Sequence, residues 1–244
     1  MAWWVLLLLP CVGVVVGFMN VMAGGGSALS MPLLILLGLE PATANGTNRI
    51  AILVQNGAAV QSFRRRGFFD PSRSLGLALC TLPGAILGAM AAVAVDPLLF
   101  RRLLAGVLVV AVVMIARPPD RSNPSRPHPL LAHLAAVGVG FWGGFMQAGV
   151  GFLLMPLLER LMAFDLVRVN MHKVFIVGCF TIPALAVFIA EGHVWWMGGA
   201  ALAIGNAAGA RLGAKVTIEG GERVVRWVFV AAALVLAVRM AVIR

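Results

Sequence analysis

The chain has 244 residues, 61% of them hydrophobic and 11% charged, and its mean hydropathy is +0.98. That balance excludes an ordinary soluble domain, and the absence of short alternating segments excludes a membrane β-barrel. The formal net charge of +10 comes from 19 Lys and Arg set in short loops, with no basic stretch interleaved with aromatics, so nucleic acid is not an expected partner.

Apolar segments fall at 3–22, 28–39, 47–63, 74–95, 98–116, 129–147, 150–163, 172–190, 194–214 and 224–243. Charge-free runs at 74–95 and 134–158 are long enough to cross a hydrocarbon core of about 30 Å. The first segment has no basic residue ahead of it and runs past any small-residue cleavage point, so it is expected to be retained rather than removed as a signal peptide. It ends at Gly24, Gly25 and Gly26, followed by Ser27 and then Pro32. Glycines and a proline cost helix stability, so the helix is predicted to break here. The second segment, at 28–39, is only about 18 Å long as a helix and could pair with the first as a re-entrant hairpin. A polar cluster, Asn45, Thr47, Asn48 and Arg49, opens the third segment, which also carries Gln55 and Asn56.

Between the fifth and sixth segments lies RPPDRSNPSRPHP, a Pro- and Arg-rich linker over 117–129. It divides the chain into an N-terminal repeat, 1–116, and a C-terminal repeat, 130–244. A shift of 124 residues carries Met22 onto Met146, Gly25 onto Gly149, Met31-Pro32-Leu33-Leu34 onto Met155-Pro156-Leu157-Leu158, and Asn48-Arg49 onto His172-Lys173. A shift of 125 carries Gly84-Ala85 and Gly88-Ala89 onto Gly209-Ala210 and Gly213-Ala214. Each repeat holds five apolar elements, an odd number, so the second is expected to be inverted relative to the first.

The cations agree. If the loop at 64–73 faces the cytoplasm, fourteen Lys and Arg fall on that side and five, Arg49, Arg101, Arg102, Arg239 and Arg244, on the other. The expected fold is therefore an all-α polytopic membrane protein of two inverted repeats, with eight to ten segments that include broken or re-entrant helices.

Inverted repeats with broken helices are the general architecture of secondary transporters, with substrate near the midplane. The second break is Gln147–Gly151, which includes Gly149. A helix N-terminus in low dielectric is an anion site, so the backbone at Gly24, Gly25, Gly26, Ser27, Gly149 and Gly151 is the expected binding surface. Arg49 and Lys173 occupy equivalent positions and would supply charge. Asn48, His172, Gln55 and Gln147 would supply polar selectivity. All nine carboxylates, including Glu40, Asp70, Asp165 and Glu159, lie at predicted ends or loops, which favours an anion over a cation. A cation or metal permease of similar architecture is the alternative. GGGSA at 24–28 only partly matches the GxSG loop of intramembrane serine proteases, since Ala28 replaces the glycine, and no enzyme is expected. The four histidines have no HxxH or HxxxH spacing and the three cysteines no CxxC, so neither metal nor cofactor is expected.

The stretch GFMNVMAGGGSALSMPLLILLGLEPATANGTNR at 17–49, and its echo GFMQAGVGFLLMPLLERLMAFDLVRVNMHK at 144–173, resemble the sulfite exporter TauE/SafE family, also called the toluene sulfonate uptake permease family. With the duplication and the two GxxxGA segments, the likeness covers essentially the whole chain. It implies a multi-pass transporter of the bacterial inner membrane for small anions, often sulfite, organosulfonates or related sulfur-containing or carboxylate anions. A coupling ion, proton or sodium, and a homodimer are left open as partners beside the bilayer. The second repeat departs from the glycine pattern at Ala148 and Val150, which stand where the first has Gly24 and Gly26.

Overall fold

The computed structural model describes residues 3–116 and 127–219, and among these it is helical throughout. The tenth apolar segment, 224–243, and most of the linker lie outside the described residues. The helices are α1 (Trp3–Ala23), α2 (Ser27–Leu36), α3 (Pro41–Arg65), α4 (Ser72–Ala94), α5 (Pro97–Ala116), α6 (Pro129–Phe145), α7 (Val150–Leu161), α8 (Leu166–Ala190) and α9 (Trp196–Glu219). Of these, α1, α4 and α8 are each long and apolar enough to cross a membrane. Large apolar side chains such as Leu79, Met90, Leu134, Ile182 and Ile204 face outward, as a lipid-bathed surface requires.

Two helices begin earlier than hydropathy indicates. The third segment starts at Pro41, not 47, and the eighth at Leu166, not 172. Pro41 suits the first helical turn because its missing N–H would find no partner there. Asp165 caps α8 by accepting from the Arg168 amide at 3.0 Å. The first two turns of α3 are polar yet buried, since Asn45, Thr47, Asn48 and Arg49 face protein rather than lipid. An apolar window cannot register such turns. The result sets Arg49 and Lys173 two turns inside their helices rather than at the ends.

The packing rests on glycine. Gly13 and Gly17 of α1 meet Leu202, Gly205 and Asn206 of α9, and Gly209 of α9 meets Val14 and Phe18 of α1, backbone to backbone. Gly140 and Gly144 of α6 meet Thr81 and Ala85 of α4, and Gly84 and Gly88 of α4 meet Phe141 and Phe145 of α6, in the same way. A Cβ at Gly84 would stand 2.7 Å from the Phe141 amide, so these contacts exist only because no side chain intervenes. Both pairs run parallel: the contacts of α1 advance with those of α9, and those of α6 with those of α4.

Each short helix folds back on its predecessor. Gly26 packs on Asn20 and Val16 of α1, while Ser30 of α2 reaches Asn48 of α3, so α2 runs antiparallel to both neighbours. For α6 and α7 the His128 amide, just before α6, donates to the carbonyl of Leu161, the last residue of α7, at 2.9 Å. Both pairs are thus helical hairpins that enter and leave at one end of the molecule. The α6–α7 hairpin opens where α3 ends and α8 begins, since one cavity is lined by Gly67–Arg73 residues together with Phe164 and Arg168. The α1–α2 hairpin opens at the other end, where the α8–α9 turn closes on the start of α3: the Trp195 amide donates to Thr47 Oγ1 at 2.9 Å and Thr43 Oγ1 lies 3.3 Å from His193 Nδ1.

Candidate functional site

The two hairpin tips meet. Gly24 ends α1 with φ +73°, a left-handed value that suits glycine, and its backbone lies against Gly151 at the start of α7. A Cβ on Gly24 would stand 2.6 Å from Gly151 Cα. The second tip turns through Gln147 (φ 63°) and Gly149 (φ 73°). Ser27 Oγ donates across the junction to the Gln147 carbonyl at 3.2 Å. The amides of Ala28, Leu29 and Ser30 are taken by the carbonyls of Gly25 and Gly26, so the donors this tip can offer lie at and before Ser27.

A cavity of about 10 Å³, room for roughly one water, sits beside the tips. Its polar wall is Asn20, Ser27, Asn56, Gln147 and Lys173, with Gly24 and Gly151 as backbone and Val150, Val174 and Val177 as the apolar side. Lys173 is the one cation among the lining residues, and no carboxylate is among them.

The two predicted cations have different surroundings. Arg49 is completely buried and committed to the C-terminal end of α6. It donates to Gln147 Oε1 at 2.9 Å, to the Gly143 carbonyl at 3.0 Å and to the Gly144 carbonyl, and it stacks 4.8 Å above the Phe188 ring. Asn45 completes this cap by donating to the Phe145 carbonyl at 2.7 Å. A cation is favourable there, because the last carbonyls of a helix carry its negative dipole end. Lys173 does the same for α1, donating to the Val21 carbonyl at 2.7 Å and to Asn170 Oδ1 at 2.6 Å. Its third donor meets only the Met155 thioether, 3.8 Å away. Each half of the chain therefore caps the broken helix of the other, but only Lys173 borders the cavity.

The predicted set divides accordingly. Gly24, Ser27, Gln147, Gly151 and Lys173 come together at the cavity. Gly25, Gly26 and Gly149 shape the tips without lining it. Asn48 accepts from Ser30 Oγ at 2.6 Å, with its Nδ2 unpartnered. Gln55 accepts from Asn206 Nδ2 at 3.1 Å. Its neighbour Asn56 is the amide that faces the cavity, and its buried Nδ2 has no partner. Asn56 and Gln55 are a helical step of about 100° apart, a difference hydropathy does not encode. Asn20, also at the cavity, could be found only by noticing a lone amide in the apolar first helix.

His172 is elsewhere. Its Nδ1 bonds the Ser74 hydroxyl and its ring stacks on Phe164 at 4.2 Å between centroids. It lines a second, larger cavity of about 330 Å³ at the Arg-rich end, with Asp70, Arg73, Asp165 and Arg168. There Arg73 pairs with Asp70 at 3.9 Å and Arg168 with Asp165 at 3.4 Å. The Ser72 hydroxyl, 2.5 Å from Asp70, is the main cause holding that carboxyl below its ordinary range.

Two broken helical hairpins that touch beside a buried polar cavity, in a bundle with long apolar helices, fit a multi-pass membrane transporter. The chain belongs to the sulfite exporter TauE/SafE family, whose family model matches residues 9–240. It is similar to a probable membrane transporter protein of a Sinorhizobium species, 28% identical over 93% of this chain and 88% of that one. It is also similar to the probable membrane transporter protein YfcA of Escherichia coli K12, 27% identical over 94% and 87% of the two chains. A probable membrane transporter protein of Haemophilus influenzae is 25% identical over 91% and 88%.

Proposed function

We propose that this transporter moves a small anion, of the sulfite, organosulfonate or related carboxylate class, across a bacterial inner membrane by alternating access at the hairpin tips. One observation carries the reading. The cavity between the tips offers an ammonium with one donor spent only on a thioether, and a buried amide N–H with no partner, while no carboxylate lines it. Such donors suit an anion and offer little to a cation.

The inverted relation of the two repeats is part of this proposal. It is supported by the hairpins opening at opposite ends, by α1 packing on α9 as α6 packs on α4, and by the reciprocal caps of Arg49 and Lys173. The cavity is water-sized, so the tips must part to admit substrate. The larger cavity at the Arg-rich end supports approach from that side, since His172 and Lys173 are neighbours on α8 and face the two cavities in turn.

Purified protein in liposomes, given sulfite, sulfate, sulfoacetate, taurine and simple carboxylates with and without proton or sodium gradients, tests the reading. Saturable flux of at least one anion, reduced in Lys173→Gln, is expected. Flux confined to cations, or anion flux untouched by that substitution, would sink the proposal.

A further inference from the structure

The C-terminal end of α3 and the last turns of α9 enclose a groove that the transport reading does not use. Its volume is about 310 Å³. Its polar lining is Gln61, Ser62, Arg65, Arg66, Arg211 and Lys215, and Leu212 forms part of its apolar wall. Four cations converge there, and among the described residues no carboxylate pairs with any of them. The like charges repel one another, so the cluster favours an anionic occupant.

The groove's position says which anion. Four residues before the groove residue Ala58, Val54 on α3 is 45% exposed, and on α9 Ile204 is 69% and Leu212 51% exposed. Helical spacing puts Val54, Ala58, Gln61 and Arg65 on one face of α3, and Ile204, Ala208, Arg211 and Lys215 on one face of α9. Each face passes from an exposed apolar residue, Val54 on α3 and Ile204 on α9, through a small alanine to cations along a single line. This is the profile of a lipid, with chains beside the apolar stretch and phosphate at the charged end. A soluble anion would have no use for the apolar part.

We propose that this groove binds the headgroup of an anionic phospholipid, held by Arg65, Arg66, Arg211 and Lys215, with its acyl chains lying along Val54 and Ile204. The cation count puts this end in the cytoplasm, where anionic lipids gather, and basic pockets between membrane helices are suited to such headgroups. Arginine forks match a phosphate diester in two-point geometry, and Lys215 adds a point charge.

Native mass spectrometry of the full chain in detergent, with equal phosphatidylglycerol and phosphatidylcholine, tests this. Preferential retention of phosphatidylglycerol is expected in the wild type. Each removed cation should lower that affinity about fivefold, so Arg65→Gln/Arg66→Gln and Arg211→Gln/Lys215→Gln should each lose most of the bound lipid. Arg65→Lys/Arg66→Lys keeps the charge but not the forks and should weaken the preference less than the Gln pair does, while Arg101→Gln/Arg102→Gln at the start of α5 should keep it. No preference in the wild type would overturn the proposal, and so would a preference that survives both pairs of Gln substitutions. An equal loss in the Arg101/Arg102 variant or in the charge-keeping variant would overturn it too. Glycerol phosphate displacing the lipid at equal concentration would replace it with a soluble-anion site. None of these readouts depends on flux, so the transport reading can fail while this one stands.

Discussion

Lys173 leaves one N–H to a thioether 3.8 Å away at the cavity, whereas Arg49 gives both terminal nitrogens to the Gln147 side chain and two carbonyls of α6, and its one unpartnered donor, the buried Nε–H, belongs to a residue that does not line the cavity. The two should therefore respond differently to substitution. Removing the guanidinium strands several buried acceptors, each costing about 1–3 kcal/mol, so Arg49→Ala is expected to lower the melting temperature sharply. Lys173→Gln should instead weaken substrate chiefly, by about tenfold to a hundredfold for one charged hydrogen bond, read as apparent affinity in flux. Equal losses of melting temperature in both would contradict the division. The same contrast applies one residue apart on α3. Asn56→Ala should raise the substrate concentration for half-maximal flux about tenfold. Gln55→Ala should leave that concentration unchanged and cost stability, because it strands Asn206 Nδ2. The cations and both amides were visible in sequence as polar residues in apolar surroundings. Their division of labour was not, because it depends on which carbonyls the other half of the chain brings within about 3 Å.

Two kinds of helix glycine show a difference that sequence does not separate. Those at the α1–α9 and α4–α6 seams touch backbone. Gly57 of α3 has nothing within 4 Å of where a Cβ would stand. Gly57→Ala should therefore stabilise, by roughly 0.5–1 kcal/mol from helix propensity alone. Gly88→Ala presses a methyl into the Phe141 carbonyl and the Phe145 amide and should destabilise by about 1–3 kcal/mol or more. Thermal unfolding of the two purified variants checks this, and a gain in both would remove the seam argument. Most elements were legible from apolar runs and from the glycine breaks, to within a few residues. The starts of α3 and α8 were missed because their first turns are polar and face protein.

Three cationic stretches, 64–73, 160–173 and 211–215, gather at one end through two shared cavities. A single cysteine should report this. In a background lacking Cys11, Cys80 and Cys179, Gly67→Cys and Arg160→Cys should react with an impermeant thiol reagent from one face of the membrane. Gly38→Cys, at the turn between α2 and α3, should react only from the other. Labelling of Gly38→Cys and Gly67→Cys from the same face would break the arrangement. The recurrence of Met-Pro-Leu-Leu in both halves was readable in sequence. The touching tips were not, because Gly24 and Gly151 are 127 positions apart and only the crossing of two hairpins makes them neighbours.

That contact between Gly24 and Gly151 has a consequence for the history of the chain. In an ordinary core, bulk gained by one residue can be offset by bulk lost from its neighbour. Here neither partner has a side chain to surrender, so size cannot be traded across the junction. Each position is confined to glycine by the other, and a change at either can be accommodated only by moving a whole hairpin.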